Sequence, residues 1–267
     1  MIIQGALSNQ QLVTGEAPSG NNPISTRTRV HLHMGQSNKK GQNPPGTIPA
    51  KYSYLVPANP NVKIWDGAAF VNIEAGVNTT QPLLTSDFGS EVSQSYFCNI
   101  FWNDGIDYVI KWAYNATDIA DFSPGGSFYN SIVTFVNDAL ADISANENDY
   151  SVVMYWDQGE NDGNSSKTLE HAQGYRDDFN AMITDYRSVF NLRKLPVVIR
   201  KMRHDATAFP YISEIITQQI NIINTVPDTV LLSNVNDLRF NDGIHFDGPS
   251  VVELGIRELH LGLYLYD

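Results

Sequence analysis

The stretch Arg29-Val-His-Leu-His-Met34, followed by Gly35-Gln-Ser-Asn38, indicates how this chain folds. Apolar residues alternate with polar ones and stop at a glycine, which is the pattern of a strand that enters a turn. Open α/β sheets bind ligands at the carboxyl ends of their strands. Ser37 is therefore a candidate nucleophile, with the amides of Gln36 and Asn38 on either side.

The rest of the chain alternates between apolar runs typical of strands and amphipathic segments typical of helices. Strands are predicted at Val62–Trp65, Ala69–Ile73, Tyr108–Ala113, Val152–Trp156, Leu195–Arg200 and Thr229–Ser233. Helices are predicted at about 87–102, after an N-cap at Ser127, at Leu169–Asn191, at Tyr211–Asn224, and after a capping box of Ser250 and Glu253. This order predicts an α/β fold with a parallel sheet that is covered on both faces.

The sequence predicts one large domain and a short leading segment. Residues 1–28 are polar and are expected to form an N-terminal arm or small hairpin, and residues 29–267 form the domain. The segment from Lys39 to about Pro60 is interpreted as a long loop without regular structure. Cys98 is the only cysteine and is expected to be a small buried residue, so an intramolecular disulfide is excluded.

Composition excludes several classes of partner. The 267 residues carry a formal net charge of −12, with a sequence pI of about 4.8. Nucleic acids and anionic membranes are therefore not expected to bind, whereas a neutral carbohydrate is compatible. No apolar run is long enough to span a membrane, and the N-terminus lacks the features of a signal peptide. We expect a soluble protein that is intracellular, virion-associated, or exported after its signal is removed; its oligomeric state is left open.

A serine, a histidine and an aspartate stand at positions suited to acyl transfer. That reaction needs a nucleophile, a base that takes its proton, and a group that orients the base. Ser37 is the candidate nucleophile and His245 the candidate base. Asp242 precedes His245 by three residues and can reach its other ring nitrogen from the same turn.

The tetrahedral intermediate also needs hydrogen-bond donors for its oxyanion. The backbone N–H groups of Ser37 and Gly89 are candidates. A side-chain amide from Gln158 or Asn161 is a third. A glycine at position 89 suits a close approach of backbone to substrate.

Four blocks carry a resemblance to a known family. Gly35-Gln-Ser-Asn38, Phe88-Gly-Ser-Glu91, Gln158-Gly-Glu-Asn-Asp162 and Asp242-Gly-Ile-His245 resemble, in order, the blocks of the SGNH hydrolases. Within that superfamily they are similar to the sialate O-acetylesterase-like carbohydrate esterases, which include acetyl xylan esterases. The resemblance implies a three-layer α/β/α sandwich with a flavodoxin-like sheet. It also implies ester hydrolysis on acetylated carbohydrates without a metal or other cofactor.

The chain departs from the family pattern in two places. Ser90 replaces the usual proline, and Tyr114-Asn-Ala-Thr117 stands where relatives often have Gly-Gly-Thr, which predicts a different contact with substrate there. The general SGNH pattern uses the asparagine as oxyanion donor, whereas the carbohydrate-esterase branch uses the glutamine. We favour Gln158 over Asn161 on this basis.

Supporting roles are assigned to Gln36, Asn38 and Glu160, which we expect to bind substrate or support loops. A glycosidase that uses Glu160 and Asp162 is disfavoured, because these carboxylates are expected to brace their own loop. His31 and His33 have metal-like spacing, but no further ligand cluster accompanies them, so no metal site is predicted. The adjacent pair His204-Asp205 is not assigned a role.

Two other functions stay open at this point. One is a lipase or thioesterase of the same superfamily. The other is a non-catalytic glycan-binding or phage tail-type adhesion module that keeps the fold. The intact serine, aspartate and histidine favour an esterase over such a module.

Overall fold

The chain folds around one seven-stranded sheet with the strand order β3-β2-β4-β1-β5-β6-β7. The computed structural model describes residues 28–83, 85–102, 105–147, 149–203 and 209–266. Among the seven strands, every pairing is parallel except that between β2 and β3. Without this β2–β3 hairpin, the remaining strands follow the flavodoxin-like order 2-1-3-4-5. The predicted fold class is confirmed.

The strands and helices have the following bounds. The strands are β1 Thr28–Gly35, β2 Asn59–Trp65, β3 Phe70–Ile73, β4 Asp107–Ala113, β5 Tyr150–Asp157, β6 Val197–Arg200 and β7 Thr229–Leu232. The helices are α1 Ser37–Lys40, α2 Glu91–Trp102, α3 Ile119–Phe122, α4 Tyr129–Asn146, α5 Leu169–Val189, α6 Ile212–Thr225 and α7 Gly248–Gly262.

The alternation along β1 divides the molecule into three layers. Val30, Leu32 and Met34 belong to a hydrophobic core shared with α4, α5 and α6. His31 and His33 point to the opposite face, where α2 and α7 pack against each other. Both faces of β1 are buried, as expected for the central strand of a covered parallel sheet.

The register of β1 brings three loops to the same edge of the sheet. Gly35 is aligned with Ala113 on β4 and with Asp157 on β5. The loops that follow these strands therefore start side by side. Strand order reverses beside β1, which is where open α/β sheets form their ligand crevice.

Local structure differs from the sequence expectations in three places. Ser37 starts the short helix α1, and the segment after it contains 3₁₀ turns at Pro45–Thr47 and Ala50–Leu55, so it is not an irregular loop throughout. The N-cap of α4 is Phe128 and not Ser127, because the Tyr129 N–H already donates to the Gly126 carbonyl.

The closing helix also begins earlier than predicted. Asp247 is its N-cap, and its carboxylate accepts the Ser250 N–H at 2.9 Å. Ser250 is therefore not the cap, and its hydroxyl accepts the Arg239 N–H at 2.7 Å instead. Glu253 forms an ion pair with Arg257 one turn further on.

Two sequence interpretations fall outside the described residues: the N-terminal arm up to residue 27, and the pair His204-Asp205. Cys98 is fully buried, as expected, and burial raises the pKa of its thiol. Within the described residues, no helix has the length and apolarity that crossing a membrane requires.

Candidate active site

His245 and Asp242 form a hydrogen-bonded pair within one tight turn before α7. Asp242 Oδ2 lies 2.7 Å from His245 Nδ1, while Oδ1 accepts the Ile244 and His245 N–H groups at 3.0 and 2.8 Å. Burial alone would raise the pKa of Asp242, but these hydrogen bonds lower it to about 2. An aspartate that stays ionised and holds Nδ1 leaves the other ring nitrogen, Nε2, for a reacting group.

The serine turn follows directly from β1. Gly35 has φ +148°, and a Cβ at this position would lie 2.1 Å from the Asp157 carbonyl oxygen, so only glycine fits. The Gln36 N–H donates to that carbonyl at 2.9 Å, and the Tyr114 N–H donates to the Gly35 carbonyl at 3.1 Å. The turn is therefore held between β4 and β5. Ser37 lies in the first turn of α1, where backbone N–H groups have no intrahelical acceptor.

The Asn38 side chain connects the serine turn to the histidine turn. Its Oδ1 accepts the Phe246 N–H at 3.1 Å, and its Nδ2 donates to the Ile244 carbonyl at 3.2 Å. These two backbone groups flank His245 on either side. Because Asn38 directly follows Ser37, one buried amide links the serine turn to the turn that carries His245.

The third contact of Asn38 joins this connection to the loop after β5. Its Nδ2 also donates to Glu160 Oε1 at 3.0 Å, and the same oxygen lies 2.5 Å from Arg200 Nη2. Glu160 therefore supports loops and is committed to two partners. Gln36 has a similar role, since its Oε1 accepts the Gly159 and Asn161 N–H groups at 3.4 and 3.3 Å.

The block Phe88–Glu91 lies against the end of α1. A Cβ on Gly41, the residue after α1, would meet the Phe88 carbonyl oxygen at 2.2 Å. The Gly89 N–H donates to Glu91 Oε1 at 3.1 Å, and both residues are buried. The backbone donor that the sequence assigned to the oxyanion is thus already bound to a carboxylate in this structure, which disfavours that assignment.

The two candidate side-chain amides have different surroundings. Gln158 Nε2 donates to the Thr117 carbonyl at 2.9 Å and to Asp162 Oδ2, so both of its hydrogens are used. Asn161 Nδ2 donates to Asp118, while its Oδ1 accepts from Asn164 at 3.0 Å. The second hydrogen of the Asn161 amide remains for another acceptor, and Asn161 is the more accessible of the two.

Buried charges around the site were missed by the sequence analysis. Lys111 Nζ lies 2.7 Å from Glu91 Oε2 and donates to the Lys40 carbonyl, at the end of α1, at 2.9 Å. Burial lowers the pKa of Lys111 to about 8. Lys39 pairs with Glu258 of α7 at 2.5 Å. The sequence signal was a lysine inside the apolar run Tyr108–Ala113, where burial requires a partner.

A second buried group lies at the carboxyl end of β6. Arg200 Nη2 lies 2.5 Å from Asp157 Oδ1 and 2.5 Å from Glu160 Oε1. Its guanidinium also lies over the Phe246 ring, 5.2 Å from the centroid. Arg200 therefore contacts the end of β5, the loop after β5 that carries Glu160, and the histidine turn.

Two groups of described residues bring three metal-ligand atoms close together. They are His31 with Cys98 and Asp107, and Asp118 with Asp162 and His171. A protein cation already pairs with a carboxylate in each, namely Arg29 with Asp107 and Lys167 with Asp118. His33 is fully buried and stacks on Tyr155, and burial lowers the pKa of its imidazole.

The parallel sheet, with the serine turn after its first strand and the aspartate–histidine turn before its last helix, has the architecture of the SGNH hydrolase fold. Solved structures with this fold are similar to the chain. A protein from Arabidopsis thaliana shares 14% identity at a TM-score of 0.72, covering 90% of this chain and 100% of that one. NanS shares 12% identity at a TM-score of 0.62, covering 89% and 97%.

A third structure is XAC1771, a carbohydrate acetylesterase from Xanthomonas citri, with 14% identity and a TM-score of 0.60. The match covers 89% of this chain but 56% of that one, so this chain spans little more than half of its length. No curated protein sequence matched the chain. The model of the family described as "Carbohydrate esterase, sialic acid-specific acetylesterase" matches residues 27–261. The chain belongs to this carbohydrate esterase family.

Proposed function

We propose that this protein is a serine esterase that removes acetyl groups from a carbohydrate. Ser37 is the nucleophile, His245 is the general base, and Asp242 orients the imidazole. The observation that carries the proposal is the Asp242–His245 bond of 2.7 Å in a turn that Asn38 ties to the serine turn.

The reaction has two halves. His245 Nε2 takes the Ser37 hydroxyl proton as Oγ attacks the acetyl carbonyl carbon, and a tetrahedral intermediate forms. Its collapse breaks the bond to the sugar oxygen, which takes that proton from the imidazolium. Water then attacks the acyl-enzyme with the same base, and acetate leaves while Ser37 recovers its proton. Asp242 stays ionised throughout and stabilises the imidazolium.

The oxyanion is bound in this proposal by the Ser37 N–H and the Asn161 amide. Asn161 is preferred to Gln158, because both Gln158 amide hydrogens are donated within the protein. The Gly89 N–H contributes only if its bond to Glu91 is shared or broken as substrate binds. Donors of this kind each contribute about 10²–10³ in rate in serine hydrolases.

The test is acetate release from p-nitrophenyl acetate and from peracetylated xylose, comparing wild type with Ser37→Ala. We expect the substitution to reduce kcat by at least about 1,000-fold without a change in folding, because it removes the nucleophilic oxygen. Ser53→Ala is a matched control, since Ser53 is an exposed serine in the 3₁₀ turn Ala50–Leu55. Activity that survives Ser37→Ala contradicts the proposal.

The other two functions give different results in the same assay. A lipase or thioesterase prefers long-chain p-nitrophenyl esters to the acetate, so a chain-length series separates it from an acetylesterase. An adhesion module binds an acetylated glycan without turnover by the wild-type protein.

A further inference from the structure

Two side-chain amides meet at the surface next to the serine turn. Gln42 Nε2 donates to Asn115 Oδ1 at 3.0 Å, in an exposed contact between residues 73 positions apart. Gln42 belongs to the loop after α1, and Asn115 belongs to the loop after β4. We call these two side chains the amide pair.

Gln42 is held close to the serine turn by the end of α1. The preceding residue, Gly41, donates its N–H to the Ser37 carbonyl at 3.0 Å. Its backbone lies against Phe88, so closely that no side chain would fit. Gln42 therefore leaves the serine helix at a fixed point on the rim of the candidate site.

Asn115 is held from the other side of the same turn. The preceding residue, Tyr114, donates its N–H to the Gly35 carbonyl at 3.1 Å. Further along this loop, the Thr117 carbonyl accepts from Gln158 at 2.9 Å, and Asp118 accepts from the Asn161 amide. The two ends of the loop are thus anchored to the serine turn and to the loop after β5.

The centre of this loop is exposed and strained. Asn115 and Ala116 are exposed while Thr117 is buried, and Ala116 has φ +53°. Residues other than glycine rarely adopt this left-handed conformation, and such strain often occurs where a loop presents a neighbouring group to a ligand. In this chain the neighbouring group is the Asn115 amide.

We propose that the amide pair binds the free hydroxyl groups of the sugar ring that carries the acetyl ester. This inference rests on the proposed function and deepens it. The mutual hydrogen bond uses one Gln42 hydrogen and one Asn115 lone pair, so the pair keeps three N–H donors and several acceptor sites. A sugar hydroxyl is both donor and acceptor and matches this set.

The chemistry of the pair also indicates the class of sugar. Both side chains are neutral, so they favour hydroxyl groups over a carboxylate or a phosphate. A site that binds a substrate hydroxyl discriminates strongly against an analogue that lacks it, because its polar groups then stay unpaired. The enzyme should therefore prefer a partially acetylated sugar to a fully acetylated one.

The test uses three substrates: methyl β-xyloside with a single O-acetyl group, the fully acetylated xyloside, and p-nitrophenyl acetate. We expect wild type to have the higher kcat/KM on the monoacetate of the two sugars. In the double variant Gln42→Ala/Asn115→Ala, kcat/KM on the monoacetate should fall at least tenfold more than on p-nitrophenyl acetate. The preference between the two sugars should shrink by a similar factor.

A matched control and two contrary outcomes make the test decisive. Asn146→Ala removes an exposed amide at the end of α4, at the opposite edge of the sheet, and should leave all three activities unchanged. The inference is overturned if the double variant keeps the wild-type ratio of monoacetate to p-nitrophenyl acetate. It is also overturned if all three activities fall equally, since the amides would then only support the serine turn.

A binding measurement distinguishes a failure of this inference from a failure of the proposed function. Calorimetric titration of Ser37→Ala protein with the monoacetate measures the sugar contact without turnover. A Kd at least fivefold weaker after Gln42→Ala/Asn115→Ala supports the inference, and an unchanged Kd overturns it. If wild type hydrolyses none of the three substrates, the proposed function fails, and the same titration still decides whether the amide pair binds sugar.

Discussion

The serine turn and the histidine turn lie next to each other but are built differently. Ser37 is 6% exposed, and the fully buried ion pair of Lys111 and Glu91 bonds the Lys40 carbonyl at the end of the same short helix. The Asp242 side chain is 53% exposed, and the His245 side chain is 25% exposed. The proposed nucleophile therefore lies in the interior of the protein, whereas the proposed base is held by a short turn at its surface.

Because of this difference, substitutions in the two turns should affect different properties of the protein. The histidine turn holds its geometry through local hydrogen bonds, so a change there should affect the reaction more than the fold. Around the serine turn, the buried ion pairs are satisfied only as long as both partners are present. A change there should affect the fold first.

After removal of the Ser37 hydroxyl, the largest effect on turnover is expected from Asp242→Asn. The change removes the charge that stabilises the imidazolium and permits the wrong tautomer of His245, so kcat should fall by about 10³–10⁴-fold. Because the carboxylate is half exposed, the free energy of unfolding should change by less than about 1 kcal/mol. Steady-state kinetics and urea unfolding measure the two quantities.

Asp237→Asn is the control, since Asp237 is an exposed aspartate that pairs with Arg257 and lies outside the catalytic turn. It should leave kcat within about twofold of wild type. An Asp242→Asn protein that is fully active would show that Asp242 does not orient the catalytic base.

Lys111→Met is expected to affect the stability of the fold more than the reaction. The substitution leaves Glu91 buried without its cation and removes the hydrogen bond to the Lys40 carbonyl, so the free energy of unfolding should fall by about 3–5 kcal/mol. Urea unfolding measures this loss. The double variant Lys111→Met/Glu91→Gln should recover part of it, since no unpaired charge remains. Equal losses in the single and double variants would mean that the charge of Glu91 is not the cause.

Much of the fold was predictable because it depends on local patterns. The alternation in Arg29–Met34 and the continuous apolar run in Val152–Trp156 gave β1 and β5 within two residues of their ends. Errors occurred at caps, where one residue decides. Asp247 and Ser250 both suit an N-cap, and only the fold determines that the Ser250 hydroxyl is used by Arg239.

The candidate site was predictable only in part. The four blocks identified residues that lie in one region, and Asp242 bonds His245 as the three-residue spacing indicated. The role of each amide was not accessible from sequence, because it depends on which acceptor each N–H meets. Gln158 and Gly89 have acceptors within the protein, and the buried partners of Lys111 and Arg200 come from distant segments.

A smaller effect is expected where the two turns meet. Asn38→Ala removes the amide that bonds the Ile244 carbonyl and the Phe246 N–H, and leaves both groups unsatisfied. The free energy of unfolding should fall by about 1–3 kcal/mol. Because His245 is no longer fixed relative to Ser37, kcat should also fall by about 10–100-fold, with KM nearly unchanged.

The matched control is Asn43→Ala, which distinguishes support of the loop from alignment of the two proposed catalytic residues. Asn43 is also buried, and its Nδ2 donates to the Phe246 carbonyl at 2.7 Å, but it does not adjoin Ser37. Both variants should lose similar stability in urea unfolding, whereas kcat should fall at least fivefold more in Asn38→Ala. Equal losses of kcat would mean that any bond to the histidine turn suffices. In that case the nucleophile and the base are aligned by the packing of the turns as a whole, and the Asn38 amide has no special part in it.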